Sequence, residues 1–173
     1  DSKLLPAKKR TELFEKITGM CRYEIVQISP KEIDFEILES SSNLNWLEAK
    51  NQIEIIKRLG AKKVFIDCPS INVKSYTDYL KKRIKASLVV EHKADLNYTI
   101  VGAASILAKV TRDQKIAEIC AIHGEVGSGY PSDPLTQKFL LKNHNKCSGI
   151  FRKSWESYKK AVIATQQKTL GNF

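Results

Sequence analysis

The sequence has few cysteines and no long apolar run. Its four cysteines lie far apart and form no C-x-x-C pair, which argues against a zinc site. No apolar stretch approaches the ~18 residues that cross a bilayer, so an integral membrane protein is excluded. No charged-then-apolar leader is visible either, and we therefore expect a cytoplasmic protein with reduced thiols.

Acidic residues are also scarce relative to basic ones. Asp and Glu number 19 against 29 Lys and Arg, which gives a net charge of +10. A surplus of this size in a chain of 173 residues favours a polyanionic partner, usually nucleic acid. The basic residues are dispersed, and many of them fit a solvated surface equally well. Hydrophobic residues at 42% and charged residues at 28% are ordinary for a globular protein and exclude a mainly disordered chain.

Apolar periodicity predicts alternating strands and helices. The predicted strands are residues 23–28, 64–66 and 88–90, and the predicted helices are residues 6–20, 31–39, 43–59, 73–84, 100–122, 135–143 and 154–166. This order indicates an α/β protein whose helices gather toward the C-terminal end.

Two carboxylates follow predicted strands. Asp67 comes directly after an apolar strand, and Asp95 follows the next one after a short polar stretch. The carboxyl ends of parallel strands meet at one edge of a sheet, where ligands usually bind. Carboxylate oxygens at that edge can hold Mg²⁺-type cations for phosphodiester hydrolysis. The alternative is that both are loop acids that cap the helices that follow.

A glycine-rich loop carries one tyrosine. Tyr130 lies in Gly127-Ser128-Gly129-Tyr130-Pro131, where the glycines leave its ring little cover. An exposed tyrosine can stack on a base or sugar. The alternative is that the ring packs the loop onto the core.

These stretches together resemble ribonuclease HII, in particular its archaeal branch. The resemblance is carried by residues 92–95 (HKAD), 103–113 (AASILAKVTRD) and 127–134 (GSGYPSDP). Shorter matches follow in the same order along nearly the whole chain: Asp1-Ser2-Lys3, Leu44-Asn45 with Glu48, Ile66-Asp67, and Arg152 with Trp155.

The resemblance implies an RNase H-like fold, with a mixed central sheet flanked by helices and a helical C-terminal portion. Its implied divisions are a core over 1–131, a helical portion over 132–165 and a tail over 166–173. It also implies an endonuclease of replication and repair that cuts RNA in RNA/DNA hybrids and at ribonucleotides embedded in duplex DNA. The cut falls 5′ to the ribonucleotide and leaves 3′-hydroxyl and 5′-phosphate ends. We expect a monomer.

The resemblance also assigns site residues. Asp67 and Asp95 match two of the four acids that hold Mg²⁺ or Mn²⁺ for two-metal hydrolysis. Tyr130 matches a tyrosine that stacks at the RNA–DNA junction and helps to sense the 2′-hydroxyl, the group that distinguishes the two sugars. The remaining nucleic-acid-binding candidates are Lys3, Lys93, Ser105, Lys109 and Arg112.

The chain departs from the family in one respect. The family's first strand carries D-E-x-G-R-G, which supplies the other two acids and lies upstream of the segment matched by Asp1-Ser2-Lys3. That motif is not in this sequence. We expect these residues to belong to the protein but not to this chain; the alternative is a catalytically impaired form.

The tail resembles the sliding-clamp-binding peptide of replication proteins. Gln167, Leu170 and Phe173 have its Q-x-x-L-x-x-F spacing, in which apolar and aromatic side chains fill a hydrophobic pocket. A chance match in a frayed tail is the alternative.

Two alternatives to the enzyme also stay open. One is a non-catalytic module that binds hybrids and docks on the clamp. The other is a sequence-specific DNA-binding protein, which the dispersed basic residues disfavour.

Overall fold

A computed structural model describes residues 4–40 and 42–170, with side chains up to residue 167. In this part of the chain the elements are, in order, α1 (Ala7–Met20), α2 (Pro30–Leu38), α3 (Leu44–Leu59), β1 (Lys63–Asp67), α4 (Val73–Lys81), β2 (Ser87–Glu91), α5 (Ala94–Asn97), α6 (Thr99–His123), α7 (Pro134–Asn143) and α8 (Glu156–Leu170). A short 3-10 helix covers Ser148–Ile150. None of the helices described here is both long and apolar enough to cross a membrane.

The two strands are parallel neighbours, as their apolar runs predict. Lys63 is in register with Ser87, and Asp67 with Glu91. A parallel pair needs a crossover, which α4 provides. The α/β class and the helical C-terminal portion are therefore confirmed, with a sheet of two strands in the described residues.

The predicted strand over residues 23–28 is wrong. These residues belong to neither a helix nor a strand. A strand requires a hydrogen-bonded neighbour, and in the described residues β1 and β2 pair only with each other. The segment is partly buried, which accounts for its alternating β-branched residues. An ion pair between Glu24 and Arg58 at 3.7 Å ties it to α3.

Two compact units make up the chain. The first contains Asp1–Gln27 and Asn45–Arg112, and the second contains Ile28–Leu44 and Asp113–Phe173. In the first unit, α3, β1 and α4 share an apolar core that includes Ala49, Tyr76 and Leu80, each with no exposed surface. Trp46 and the strand residues Val64, Leu88 and Val90 pack against that core. The second unit buries residues of α7 and α8, and the ring of Phe151 lies 6.0 Å from that of Phe139.

Side chains define where the helices begin. Ser29 and Glu32 form a capping box at the start of α2, and Pro30 occupies its first turn. Asn72 caps α4 by accepting a hydrogen bond from the Ser75 N–H at 2.9 Å.

Candidate metal and nucleic-acid site

The structure brings the two predicted carboxylates to the same edge of the sheet. Asp67 is the last residue of β1 and is exposed. Its Oδ1 accepts a hydrogen bond at 3.3 Å from the backbone N–H of Ala94, the residue before Asp95. Asp95 is half-buried in the first turn of α5, which follows β2. The bond to Ala94 thus fixes the start of α5 beside Asp67, although the two acids come from different strands.

The turn between β2 and α5 is tightly constrained. Lys93 adopts left-handed backbone angles, with φ 56° and ψ 34°. This conformation is unfavourable for a residue with a β-carbon and is often retained near functional sites. His92 Nδ1 lies 3.0 Å from the Cys68 carbonyl oxygen, and the Cys68 N–H donates to the Glu91 carbonyl at 2.9 Å. These contacts hold the two strand ends together.

Glu91 is the register partner of Asp67, but its carboxylate binds two side chains in and directly after α5. Its carboxylate accepts hydrogen bonds from Asn97 Nδ2 at 2.6 Å and from Tyr98 Oη at 3.4 Å. Both donors lie within seven residues of Glu91, around α5. This carboxylate therefore secures the helix that carries Asp95.

A third carboxylate, Glu48 of α3, lies near Asp67 and has no role in the sequence-based site. It is exposed to solvent, yet protein atoms surround it closely enough to displace much of its hydration. This desolvation and, second, the charge of Asp67 raise the pKa of the Glu48 carboxyl above its ordinary value. The only sequence signal for Glu48 was its place in the Leu44-Asn45 match.

A hydrogen-bond chain orients Glu48. Tyr76, which has no exposed surface, donates through its hydroxyl to Gln52 Oε1 at 3.0 Å. The Gln52 amide in turn donates to Glu48 Oε1 at 3.4 Å. Burial, followed by the Glu48 charge, raises the pKa of Tyr76, so its hydroxyl stays protonated and remains a donor.

Three of the predicted nucleic-acid-binding residues share one face of α6. Ser105, Lys109 and Arg112 are spaced by four and three residues, which places them on the same side of a helix. All three are partly buried and make contacts within the protein. Lys93, by contrast, is exposed at the strand-end turn.

The loop that carries Tyr130 is organised by Asp133. Asp133 accepts hydrogen bonds from the Ser128 N–H at 2.5 Å, the Leu135 N–H at 3.0 Å and the Thr136 hydroxyl at 3.2 Å. These bonds, with that of Ser128 the largest, lower the pKa of Asp133 to about 2. Tyr130 itself is 43% exposed, as predicted from the glycines that flank it.

Some predicted site residues cannot be placed. Lys3 and Phe173 lie outside the described residues. Gln167 is exposed near the end of α8, and Leu170 is the last residue of that helix, with its side chain outside the described part.

The donor chemistry around Asp67 fits a hard divalent cation. In residues 4–40 and 42–170, no three His, Cys, Asp or Glu side chains come together as a complete cage. Mg²⁺ is commonly bound by one or two carboxylates, with waters and substrate phosphate oxygens completing its coordination. Asp67 and Asp95 are oxygen donors of this type, so the residues present fit such an ion.

Comparisons with known proteins agree with this geometry. Residues 1–158 match the family model described as Ribonuclease HII. Curated proteins of that name include one from Thermococcus sibiricus, 40% identical over 97% of this chain and 77% of its own length. Another, from Methanococcus maripaludis, is 43% identical over 98% of this chain and 74% of its own length.

Solved structures show the same likeness. The ribonuclease H2 of Pyrococcus horikoshii OT3 superposes with a TM-score of 0.84 at 34% identity, over 96% of this chain and 81% of that one. The ribonuclease HII in a complex with PCNA from Archaeoglobus fulgidus superposes with a TM-score of 0.82 at 35% identity, over 100% of this chain and 82% of that one. The resemblance in the sequence is therefore confirmed: the chain belongs to the ribonuclease HII family, whose members are enzymes of the ribonuclease H class.

Proposed function

We propose that this chain provides part of the active site of an endonuclease that cuts the RNA strand of RNA/DNA hybrids and single ribonucleotides in duplex DNA. The cut falls 5′ to the ribonucleotide and leaves 3′-hydroxyl and 5′-phosphate ends. The observation that carries the proposal is the hydrogen bond from the Ala94 N–H to Asp67, which places Asp95 beside Asp67 at the carboxyl edge of the sheet. The family membership gives this pair its chemistry.

Asp67 and Asp95 are the proposed metal ligands of the chain. Mg²⁺ or Mn²⁺ bound there would activate a water for attack and stabilise the leaving oxygen in a two-metal hydrolysis. Asp67 is exposed, so that a cation bound to it would be accessible to the substrate phosphate, whereas Asp95 is half-buried in the first turn of α5. The pair is thus preorganised by the backbone rather than by flexible side chains.

Basic and aromatic residues are proposed to hold the duplex. Lys3, Lys93, Lys109 and Arg112 would contact phosphates, and Ser105 would donate to the backbone from the same face of α6. Tyr130 would stack on the sugar at the RNA–DNA junction, where the 2′-hydroxyl distinguishes RNA from DNA. The Asp133 hydrogen bonds support this role, because they fix the loop that presents the ring.

A cleavage assay tests the catalytic proposal. The substrate is duplex DNA with one ribonucleotide, offered with Mg²⁺ or Mn²⁺ to the 173-residue chain and to the chain extended upstream by a family D-E-x-G-R-G segment. Asp67→Asn and Asp95→Asn should each lower the rate at least ~100-fold, because even outer-shell partners of metal ligands contribute ~10–100-fold. Glu54→Gln, which removes an exposed carboxylate from α3, should leave the rate unchanged.

Other outcomes would assign a different function. Full activity in both aspartate variants would show that the reaction does not use this pair. Tight binding of the duplex without cleavage, even by the extended chain, would instead establish a hybrid-binding module. Product ends other than 3′-hydroxyl and 5′-phosphate would refute the proposed polarity.

The tail supports a second proposed activity, docking on a sliding clamp. Gln167, Leu170 and Phe173 have the spacing of a clamp-binding peptide, and the related Archaeoglobus fulgidus protein has been solved in complex with PCNA. Titration calorimetry with a clamp would compare Leu170→Ala and Phe173→Ala with the control Thr169→Ala. Anchor residues in such pockets contribute at least ~2 kcal/mol, so each anchor variant should weaken binding ~30-fold. Equal affinity in all three variants would show that the tail is not the docking peptide.

A further inference from the structure

A groove on the outside of the first unit has no role in the proposed reaction. It is lined by Trp46 of α3 and by seven residues in and around α4: Asn72, Lys74, Ser75, Asp78, Tyr79, Lys82 and Arg83. We call this surface the α4 groove. Lys74 and Asp78, like Ser75 and Tyr79, are spaced by four along α4 and therefore share one face of the helix, and Lys82 and Arg83 follow directly after the helix ends.

Stacked rings and a cation form one wall of the α4 groove. The Trp46 ring is stacked on Tyr76 in the core, with centroids 6.0 Å apart and planes 11° apart. The Tyr79 ring lies 4.7 Å from that of Trp46, and the Arg83 guanidinium lies 3.7 Å from the centre of the Tyr79 ring. A ladder of planar groups therefore runs from the buried Tyr76 to the exposed Arg83.

This ladder holds Arg83 in place. Its Nη1 also donates to the Tyr79 carbonyl at 3.0 Å, a hydrogen bond that uses one of the five guanidinium N–H donors. A guanidinium fixed in this way loses little side-chain entropy when it binds a phosphate, and its fork geometry matches two phosphate oxygens. Arg83 thus differs from a surface lysine that is merely solvated.

The charge of the α4 groove favours an anion. Lys74, Lys82 and Arg83 supply three positive charges against the single carboxylate of Asp78. Asp78 makes no ion pair with either lysine in the described part of the chain. The ammonium groups of the two lysines are therefore available to an anionic ligand.

We propose that the α4 groove binds backbone phosphates of the nucleic-acid duplex on one flank of the cleavage site, an inference that rests on the proposed function for its partner. The groove begins at Asn72, in the loop that follows Asp67, and continues to Arg83. Roughly eleven residues at ~1.5 Å each extend it ~17 Å from that loop. At ~3.4 Å per base pair, its far end reaches phosphates about five base pairs from the cut.

Binding of a hybrid duplex as a function of salt tests this inference. Fluorescence anisotropy in EDTA measures affinity without cleavage and without the metal, so failure of the Asp67 and Asp95 proposal would not affect the result. The triple variant Lys74→Gln, Lys82→Gln, Arg83→Gln should lower the slope of log K against log salt by ~2–3, since each lost phosphate contact removes ~0.9. Its matched control is Lys8→Gln, Lys9→Gln, Lys16→Gln, which removes three exposed charges from α1, a helix that does not line the groove.

Two further measurements make the test specific. Asp78→Asn removes the one repulsive charge of the groove and should tighten binding. Trimming the duplex within about five base pairs of the ribonucleotide on one flank should abolish the difference between the triple variant and wild type, whereas trimming the other flank should preserve it. Equal slopes for the triple variant and its control, or no gain in affinity from Asp78→Asn, would overturn the α4 groove as a binding site.

Discussion

Asp34 and Ser154 are 120 residues apart in the chain, yet the Asp34 carboxylate accepts hydrogen bonds from both the N–H and the hydroxyl of Ser154. Oδ1 accepts a hydrogen bond from the Ser154 N–H at 2.9 Å and another from its hydroxyl at 2.7 Å. Oδ2 accepts from the Lys153 N–H at 2.8 Å. This one side chain joins α2 to the segment before α8 in the second unit.

Replacing Asp34 should therefore destabilise the fold. Asp34→Ala removes all three acceptor contacts and should lower the free energy of unfolding by ~1.5–3 kcal/mol, the range for hydrogen bonds to a charged group. Urea denaturation at pH 7 would measure the loss. Glu39→Ala, which removes an exposed carboxylate at the end of α2, is the control and should stay close to wild type.

The same contacts make the contribution of Asp34 to the free energy of unfolding sensitive to acid. Partial burial acts to raise the pKa of Asp34, but the hydrogen bonds from Ser154 and Lys153 outweigh it, so the pKa lies below its ordinary value of 3.8. A depressed folded pKa means that the contribution is complete above pH 3.8 and is lost as the pH falls through the folded value. The difference between wild type and Asp34→Ala should accordingly shrink below pH 3.8; a constant difference at lower pH would contradict it.

Glu48 should have the opposite effect on stability. Its pKa is raised by desolvation and by Asp67, so the folded state holds the proton more tightly than the unfolded state. Stability is then reduced as the pH rises from 4.5 through the folded pKa, and the reduction persists at neutral pH. Glu48→Gln should raise the melting temperature at pH 7 and lose that advantage below pH 4.5.

Scanning calorimetry at both pH values checks this, with Glu54→Gln as a control on the same helix. A lower melting temperature for Glu48→Gln at pH 7 would show that the carboxylate is stabilised by partners rather than strained. Functional sites often retain residues that reduce stability. A substitution near Asp67 that stabilises the fold would therefore be consistent with a functional site there.

Gly127 offers a sharper test of the Tyr130 loop. Its φ is +77°, and an added β-carbon would lie 2.6 Å from Asp133 Oδ2 and 2.7 Å from the Thr136 N. Gly124 has a similar φ of +83° but nothing within 4 Å of that position. Both alanine variants incur the left-handed backbone penalty of ~1–2 kcal/mol, and Gly127→Ala should lose a further ~1–3 kcal/mol through the clash.

Thermal denaturation of the two variants would measure the difference. Gly127→Ala should also weaken discrimination between a ribonucleotide and a deoxyribonucleotide in the duplex, because the clash displaces the loop that presents Tyr130. Gly124→Ala should retain that discrimination. Equal stabilities would show that the loop can shift without consequence.

The sequence predicted those features of the fold and the site that depend on local patterns of residues. Apolar runs identified β1 and β2, and position after those runs placed Asp67 and Asp95 at one edge. Residues 23–28 have the same local pattern, but strand formation depends on a neighbour that local pattern does not reveal. Glu48 was missed as a site residue for the same reason, since α3 brings it to Asp67 from 19 positions away in the chain.

In the glycine-rich loop, the sequence predicted one feature and missed another. Its two glycines, Gly127 and Gly129, predicted an exposed Tyr130, and both adopt positive φ. The role of Asp133 as the acceptor at the centre of the loop was not evident, because an Asp before a proline also suits an ordinary helix cap. It does cap α7, through Leu135, while its other oxygen reaches back to Ser128.

Asp133 should therefore hold the loop closed far into the acid range. Hydrogen bonds, first from Ser128, lower its pKa from 3.8 to about 2, so its contribution is present above pH 3.8 and is lost only as the pH falls through about 2. Carboxyl-detected NMR should show Asp133 titrating near 2. Asp133→Asn presents one acceptor oxygen in place of two, so amide exchange at Ser128 or Leu135 should accelerate at pH 6, whereas Asp78→Asn should leave both amides protected. An Asp133 that titrates at 3.8, or exchange that is unchanged in Asp133→Asn, would show that the loop closes by other means.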